Sequence, residues 1–192
     1  EMATLGPLPQ KNRFPEPEEE RPTCLIRPIT SAPSAGATAS ADWDDDPTPW
    51  LSQGELVILT QRGTDQRKRD RIAGRIAAKR AIQALTGASA REIQIENAKS
   101  GEPQVRIQGP IPPVRVSITH RQGRAFATAV SNGRVGVDLE TIEPRSRAFE
   151  SEWFSKHEQV LTAGKPKELT IAWSAKEAVL KALGKGLAFS PR

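Results

Sequence analysis

The sequence predicts an α+β fold, because two long stretches with helical periodicity are separated by several short stretches that are typical of strands. Apolar residues recur at helical spacing over residues 65–86 and again over residues 171–183. Residues 114–118 alternate apolar and polar side chains, and a Ser-Asn-Gly turn at 131–133 separates two further apolar stretches. Short strands joined by tight turns favour antiparallel sheets beside the helices.

Residues 1–50 differ in composition from the rest of the chain. They contain nine of the sixteen prolines, the acidic run Glu18–Glu20 and a stretch of small residues at 31–41. Such a segment buries too little apolar surface to offset the entropy of ordering it. We therefore expect a mostly irregular acidic arm or linker, with a disordered tail as the alternative. Folded sequence is expected to begin near Trp50, or at a strand over residues 55–59.

Residues 65–107 are predicted to contain one long helix followed by short strands. The helix over 65–86 ends at Thr86-Gly87, since glycine after the last helical residue is a common stop signal. Ile93 and Ile95 indicate a short strand, and a turn at 100–103 precedes another strand over 104–107.

The remaining elements follow the same rules. The alternating strand over 114–118 is expected to break at residues 119–123, and strands follow at 125–130 and 135–139. A second helical region is predicted over 151–161. The helix over 171–183 is expected to stop at the glycines that follow it, Gly184 and Gly186.

The composition of the chain limits where the protein can be located in the cell and which partners it can bind. The only cysteine, Cys24, cannot form an intrachain disulfide, which favours a reducing cytoplasm. No apolar run reaches the roughly 18 residues of a membrane span, and no secretory signal is visible. The net charge of +5 is uneven: residues 1–60 carry −6 (four basic, ten acidic) and residues 61–192 carry +11 (24 basic, 13 acidic). A basic body attracts an anionic partner, such as nucleic acid, a phosphorylated cofactor or an acidic protein.

Two acidic motifs suggest a metal ion held over a phosphate. Asp138 and Glu140 lie two residues apart in a predicted strand, so their side chains would project to the same face. Glu177 and Lys181 lie four apart in a predicted helix and would also share a face. Taken alone, the strand pair is equally compatible with solvated surface, and the helix motif with an amphipathic surface helix. Together they favour a divalent cation and a polyphosphate.

A basic stripe accompanies the first helix. Arg67, Arg71, Arg75 and Lys79 follow one another at intervals of four residues. The stripe is suited to phosphate binding, although a solvated helix face would have the same pattern.

The two acidic motifs, in this order, resemble those of the 4′-phosphopantetheinyl transferases. That family combines Gly-Val/Ile-Asp-x-Glu, here residues 136–140, with a later Trp-Ser-x-Lys-Glu-Ala-x-x-Lys, here residues 173–181. Two weaker features also resemble the family: the Ser-Ile-Thr-His segment at 117–120 and the Gly-Arg-x-x-x-Lys segment at 74–79. The resemblance covers roughly residues 50–190.

The resemblance implies a reaction and its cofactors. The family's enzymes move the phosphopantetheine arm of coenzyme A onto a serine of a carrier protein and release adenosine 3′,5′-bisphosphate. It implies Mg²⁺, with Mn²⁺ as an alternative, held by Asp138, Glu140 and Glu177. The implied partner is an acyl or peptidyl carrier protein of a fatty-acid, polyketide or peptide synthase. Because carrier proteins are typically acidic, the basic body is suited to attract them.

The resemblance also implies roles for individual residues. Lys181 would contact a phosphate or assist proton transfer, and Glu158, in a Phe-x-x-x-Glu segment, would be the base that deprotonates the serine. His120, with Thr119 beside it, would contact a coenzyme A phosphate. The 3′-phosphate of coenzyme A would be bound by the basic stripe, namely Arg71, Arg75 and Lys79.

The implied architecture has two α+β halves related by a pseudo-twofold axis, each a long helix packed on a small antiparallel sheet. The first half would span 51–125 and bind the coenzyme A phosphates; the second would span 126–192 and hold the metal. A monomer of this larger, two-half type is expected, in the cytoplasm, with neither nucleic acid nor membrane as partner.

Two departures from the family pattern stand out. Glu102 in Gly-Glu-Pro occupies a position where the family often has a cation, which would weaken the grip on the nucleotide. The chain also ends at residues 190–192, before the closing strand usual in relatives, so a truncated second half is expected.

Three other functions compete with this interpretation. A catalytically silent domain that docks carrier protein would explain Glu102 and the early end. A nucleic-acid-binding domain using the helix over 67–80 would explain the charge but leave the acidic motifs idle. A different metal-dependent phosphotransferase is disfavoured, because the sequence has no Walker-type glycine-rich loop.

Overall fold

Residues 35–184, the part of the chain that the computed structural model describes, form helices and antiparallel strands, and the predicted α+β class is confirmed. The strands are β1 (Gly36–Asp42), β2 (Ile93–Asn97), β3 (Pro103–Ile107), β4 (Arg115–Arg121) and β5 (Arg124–Val130). The helices are α1 (Gln53–Thr60), α2 (Asp65–Thr86), α3 (Arg147–Trp153), α4 (Lys156–Thr162) and α5 (Pro166–Leu183). None of these helices has the length and hydropathy needed to cross a membrane.

The central sheet has the strand order β1-β5-β4, and all its pairings are antiparallel. A separate two-stranded sheet pairs β2 with β3. The β4–β5 hairpin is longer than expected, since β4 continues to Arg121 instead of breaking at 119–123. The turn needs only Gln122 and Gly123, which both have positive φ angles of 49° and 85°. The added residues bring His120 and Arg121 into the sheet.

Strand β1 lies within the segment that was expected to be irregular. Folded structure therefore begins by Gly36, earlier than the predicted start near Trp50. The strand pairs with β5 along its whole length, and the hydroxyls of Thr38 and Thr128 lie 3.0 Å apart across the pair. Its small residues fit closely against a neighbouring strand but lack the large apolar alternation that reveals a strand in a sequence. The predicted arm over residues 1–34 lies outside the described residues.

Residues 55–59 form a helix, so their prediction as a strand is wrong. Ser52 caps the helix: its hydroxyl accepts a hydrogen bond from the Glu55 amide at 3.2 Å, and the Glu55 carboxylate accepts one from the Ser52 amide at 2.9 Å. This reciprocal capping box outweighs the strand preference of Val57 and Ile58.

Helix α2 has the predicted bounds and is the centre of the core. The Thr64 hydroxyl caps its first turn, and Gly87 ends it in the left-handed conformation at φ 75°. Ile76, Ala77 and Ala81 are completely buried, and the helix packs on β1, β5 and β4. The basic stripe is a solvated face only at its start: Arg67 is exposed, whereas Arg75 and Lys79 are buried on this helix.

Residues 131–184 contain the helices α3, α4 and α5. The prediction of a strand over 135–139 is wrong, because this segment pairs with no strand among the described residues. The predicted helix over 151–161 is two helices, α3 and α4, because Phe154 is extended and Ser155 caps a new helix. Helix α5 begins earlier than expected, with Pro166 in its first turn. Of its two predicted stop residues, Gly184 ends the helix in the left-handed conformation, and Gly186 lies outside the described residues.

Candidate active site

Strand β4 connects the two parts of the candidate site, because its side chains alternate between two faces. Ile118 and His120 face α2, where the Ile118 side chain approaches Gly74 and His120 approaches Asp70. Ser117 and Thr119 point the other way, toward residues 137–139. One strand thus contributes both to the wall of a cavity and to the support of the acidic motif.

The acidic motif is attached to β4 by side-chain hydroxyls instead of a backbone ladder. The amide of Val137 donates to the Ser117 hydroxyl at 3.0 Å, and the amide of Leu139 donates to the Thr119 hydroxyl at 3.2 Å. The Thr119 hydroxyl in turn lies 3.4 Å from an Asp138 carboxylate oxygen. These bonds satisfy the backbone of the segment and explain why no strand forms there.

Gly136 brings the same segment against α5. A Cβ added at this position would overlap the carbonyl oxygen of Ala178 and lie 2.9 Å from the backbone nitrogen of Ala182. Only glycine permits this approach of backbone to backbone. The contact sets the distance between the acidic motif and the helix that carries Glu177 and Lys181.

We call Asp138, Glu140 and Glu177 the acidic cluster. Asp138 is buried, and its Oδ1 lies 2.6 Å from the Lys181 ammonium. Glu140 is ion-paired with Arg145 at 3.2 Å and with Arg121 at 3.7 Å. Cations of the chain itself therefore balance two of the three carboxylates.

Glu177 is close enough to Asp138 and Glu140 for their charges to affect its pKa. Burial raises the pKa of Glu177 to about 7; repulsion from Asp138 and Glu140 adds to the rise, and Lys181 opposes it. The charges of the three predicted metal ligands therefore influence one another, and the Lys181 ammonium lies among them.

The cluster suits a hard divalent cation by its donor chemistry. All three side chains offer carboxylate oxygens, which Mg²⁺ prefers, and the buried Asp138 Oδ2 has no hydrogen-bond partner among residues 35–184. Within the same residues, no group of three His, Cys, Asp or Glu side chains is arranged as a complete metal site. The Asp138 Oδ1 and Glu140 contacts are instead ion pairs with Lys181 and Arg145.

A cavity of about 400 Å³ lies between α2, β4 and the start of the acidic segment. We call it the cationic cavity, after the basic side chains in its wall: Arg71, Arg75, Arg115, His120, Arg134 and Lys181. Four of these were predicted to bind coenzyme A, namely Arg71, Arg75, His120 and Lys181. The cavity also contains the carboxylates of Asp70 and Glu102.

Arg75 is the most notable of these cations. It is buried, its Nη2 is 3.5 Å from the Asn97 amide oxygen, and its Nη1 has no hydrogen-bond partner among the described residues. Burial lowers the pKa of Arg75, and the carboxylate of Glu55 partly opposes this. A buried guanidinium nitrogen without a partner is costly, and an anion in the cavity would satisfy it.

Two residues predicted to bind coenzyme A do not line the cavity. Lys79 is 1 % exposed; its ammonium lies 2.8 Å from a Glu55 oxygen and donates to the Ala90 carbonyl at 2.9 Å. Thr119 is buried and supports the acidic segment. Both residues therefore have structural partners within the chain.

Lys181 is the link between the cavity and the acidic cluster. It lines the cavity, and its ammonium also donates to the Val137 carbonyl at 3.1 Å and to Asp138. Its position follows from α5, where Trp173, Glu177 and Lys181 succeed one another at intervals of four residues. Trp173 anchors this row by packing edge-on against Phe149.

Glu158, the predicted base, has two structural contacts. Its carboxylate accepts a hydrogen bond from the Ser155 amide at 2.7 Å in a capping box and lies 2.8 Å from the Lys176 ammonium. Although partial burial raises the pKa of Glu158, the bonds from Lys176 and Ser155 hold it below the usual value. The group is therefore ionised at neutral pH and already engaged.

We expect the substitution Glu158→Gln to lower the free energy of unfolding by about 1 kcal/mol, because the cap of α4 and the Lys176 ion pair are weakened. In a transfer assay, kcat should fall by less than about tenfold, since loss of a general base costs about 10²–10⁴-fold. Thermal unfolding and steady-state kinetics of one preparation check both. A hundredfold fall in kcat with unchanged stability would instead establish Glu158 as the base.

Several residues at the site were not predicted from the sequence. Arg121 could have been found, because it follows Thr119 by two residues on the same strand face. Arg134 directly precedes the acidic segment but carries no motif. Arg145 follows Glu140 by five residues, but their contact depends on the irregular path of the chain between them. Asp70 lies on α2, far from the acidic segment in sequence, and meets the site only through the tertiary fold.

Glu102 lies in the wall of the cavity, close to the end of α5. Its carboxylate would be 3.7 Å from a Cβ placed on Gly184. The glutamate at position 102, where the family often has a cation, therefore places a negative charge in the wall of the cationic cavity. The predicted truncation concerns residues 185–192, which lie outside the described residues.

Comparison with known proteins supports the resemblance. Residues 134–192 match the family model described as the 4′-phosphopantetheinyl transferase superfamily. The matched range contains the whole acidic cluster. The 4′-phosphopantetheinyl transferase psf-1 of Bacillus pumilus is 29% identical over 123 residues, which are 62% of this chain and 51% of that protein. The chain therefore spans about half the length of this curated relative, and the resemblance predicted from the two motifs is supported over residues 134–192.

Solved structures of holo-acyl-carrier-protein synthases also align with the chain. The enzyme of Neisseria meningitidis is 21% identical with a TM-score of 0.43, and covers 51% of this chain and 97% of its own. The Helicobacter pylori enzyme, in complex with coenzyme A, is 18% identical with a TM-score of 0.42, and covers 50% and 99%.

Proposed function

We propose that the chain transfers the 4′-phosphopantetheine arm of coenzyme A to a serine of an acyl or peptidyl carrier protein and releases adenosine 3′,5′-bisphosphate. One observation carries this proposal: Lys181 lines the cationic cavity and also contacts Asp138 of the acidic cluster. A pyrophosphate bound at Lys181 would have cations on one side and carboxylates on the other. The family match over residues 134–192 supports the same chemistry.

The cavity is proposed to bind the phosphates of coenzyme A. Arg75 would donate its free Nη1 to a phosphate oxygen, and His120 and Arg71 would add donors from the neighbouring wall. The first half, about 51–125, would thus supply most of the phosphate donors. The second half, about 126–192, would supply Lys181 and the acidic cluster.

The proposed reaction is a phosphoryl transfer. The serine oxygen forms a bond to the phosphorus that carries the pantetheine arm, and the bond from this phosphorus to the bridging oxygen breaks. Adenosine 3′,5′-bisphosphate leaves with that oxygen, and the serine proton passes to a base. Lys181 would hold the pyrophosphate and balance the charge that grows on the leaving oxygen.

Mg²⁺ is proposed as the metal, with Asp138, Glu140 and Glu177 as its protein ligands. Bound there, the ion would neutralise the pyrophosphate and orient it. The proposal is supported by the all-oxygen donor set and by Asp138 Oδ2, which is buried without a partner among the described residues.

The proposed protein partner is an acidic carrier protein of a fatty-acid, polyketide or peptide synthase. Residues 61–192 carry a net charge of +11, which favours fast association with an acidic surface. A monomer in the cytoplasm is the proposed working form. A nucleic-acid-binding role is less favoured, because the helix that would carry it has Arg75 and Lys79 buried.

Calorimetric titration with coenzyme A tests the proposed cavity. We expect Arg75→Met to weaken coenzyme A binding by about tenfold or more, because a charged hydrogen bond to phosphate contributes about 1.5–3 kcal/mol. The matched control is Arg124→Met, since Arg124 is exposed on β5 and does not line the cavity. Equal affinities of the wild type and Arg75→Met would contradict the assignment. Carrier binding without coenzyme A binding would favour the silent docking domain.

A further inference from the structure

A carboxylate lies among the cations of the cavity, where phosphate binding gives it no direct use. Asp70 is 8 % exposed, and its Oδ2 lies 3.6 Å from the Nδ1 of His120. Its other oxygen, Oδ1, accepts a hydrogen bond from the indole nitrogen of Trp43 at 2.8 Å. Facing a phosphate directly, Asp70 would repel it. Its contacts point instead to a task performed through His120.

The fold brings these three residues together by close packing of α2 on β4. Gly74 lies one helical turn after Asp70, and Ile118 lies two residues before His120 on the same strand face. A Cβ on Gly74 would be 3.0 Å from the Ile118 side chain, so the helix and strand approach closely there. Asp70 and His120 are the next pair along the same contact.

Trp43 fixes Asp70 from the other side. It follows β1, its amide donates to the Gly123 carbonyl at 2.9 Å, and its ring covers Gly123 in the β4–β5 turn. The indole is thus held by the hairpin that also carries His120. A carboxylate with one oxygen bound by a fixed donor presents the other oxygen in a fixed direction.

Among residues 35–184, Asp70 is the partner that the structure gives to the His120 ring. Its side chain is 47 % exposed among residues 35–184 and lines the cavity. When Nδ1–H faces a carboxylate, Nε2 is the nitrogen that is left for a ligand, and it donates to a phosphate in the imidazolium form, in which both nitrogens carry a proton. The orientation of His120 therefore depends on Asp70.

We propose that Asp70, anchored by Trp43, is a positioning residue that orients His120 so that the imidazole donates to a phosphate group in the cationic cavity. This inference rests on the proposed function, because it takes the phosphates of coenzyme A as the ligand. Asp70 itself does not contact the ligand. Its effect on binding should disappear when His120 is removed.

A double-mutant cycle tests this coupling. The dissociation constant for adenosine 3′,5′-bisphosphate is measured by calorimetry for the wild type, Asp70→Asn, His120→Ala and the double variant. We expect Asp70→Asn to weaken binding about fivefold in the wild type, the effect of an ion pair near a surface, and less than about twofold in the His120→Ala background. Asp65→Asn is the control, since this carboxylate is exposed at the start of the same helix.

The results separate the inference from the proposed function. Equal losses for Asp70→Asn in both backgrounds would overturn the positioning role, because a structural defect would act without His120. Binding by the wild type in that case would leave the proposed function standing. If the folded wild type binds neither adenosine 3′,5′-bisphosphate nor coenzyme A, both fail. Trp43→Phe gives an independent readout: it should weaken binding in the wild type and not in Asp70→Asn.

Discussion

Replacing Glu177 with glutamine will lower the transfer rate at least about a hundredfold without lowering the melting temperature. The loss is expected because Glu177 is one of three carboxylates proposed to hold Mg²⁺, and charge stabilisation by a bound metal contributes several kcal/mol to the transition state. The melting temperature should not fall, because the folded protein buries Glu177 beside the like charges of Asp138 and Glu140.

The control for Glu177→Gln is the removal of a different carboxylate from the same helix, α5. Glu168→Gln, in the exposed first turn of α5, is that control and should keep both the rate and the melting temperature of the wild type. Release of adenosine 3′,5′-bisphosphate measures the rate, and differential scanning calorimetry measures the stability. A Glu177→Gln enzyme with more than a tenth of the wild-type rate would remove Glu177 from the proposed metal ligands.

Replacing Gly136 with alanine will lower the free energy of unfolding by about 3 kcal/mol or more. For a chain of this size, that change lowers the melting temperature by about 6 °C or more. The added Cβ would overlap the Ala178 carbonyl oxygen, which belongs to the backbone of α5 and cannot turn aside like a flexible side chain. The acidic segment would have to move away from α5, so Asp138 would also lose its contact with Lys181. Activity should therefore be lost along with stability.

Gly54→Ala is the matched control for the same chemical change. Gly54 lies in α1, and an added Cβ would come no nearer than 4.0 Å to the Ser52 hydroxyl. This substitution should leave the protein unchanged or more stable by about 0.4–1 kcal/mol. Urea unfolding of both variants measures the difference. Equal stability of Gly136→Ala and the wild type would show that the segment can shift without cost.

The parts of the fold that were predicted correctly have local signals in the sequence. Helix α2 has its predicted bounds because Thr64 and Gly87 provide readable caps around a long periodic stretch. The strand prediction for residues 55–59 failed because the capping box of Ser52 and Glu55 was overlooked. The strand predicted at 135–139 failed for a different reason: its partners are hydroxyl groups of β4, and no local pattern reveals them.

In the candidate site, too, the residues that belong to local motifs were predicted, and the contacts that depend on the tertiary fold were not. Asp138, Glu140, Glu177 and Lys181 were predicted from two motifs, and the fold brings them together. The burial of Lys79 could not be predicted, because its partner Glu55 belongs to a helix that had been interpreted as a strand. The contact of Arg145 with Glu140 depends on the path of the chain after the acidic segment.

The most direct test of the central claim is the intact mass of an apo carrier protein after incubation with this chain, coenzyme A and Mg²⁺. The proposed function predicts a gain of one phosphopantetheine arm on the carrier, and no gain after addition of a chelator. An unchanged carrier mass across acyl and peptidyl carrier proteins, with a folded chain that binds coenzyme A, would contradict the proposed transferase activity.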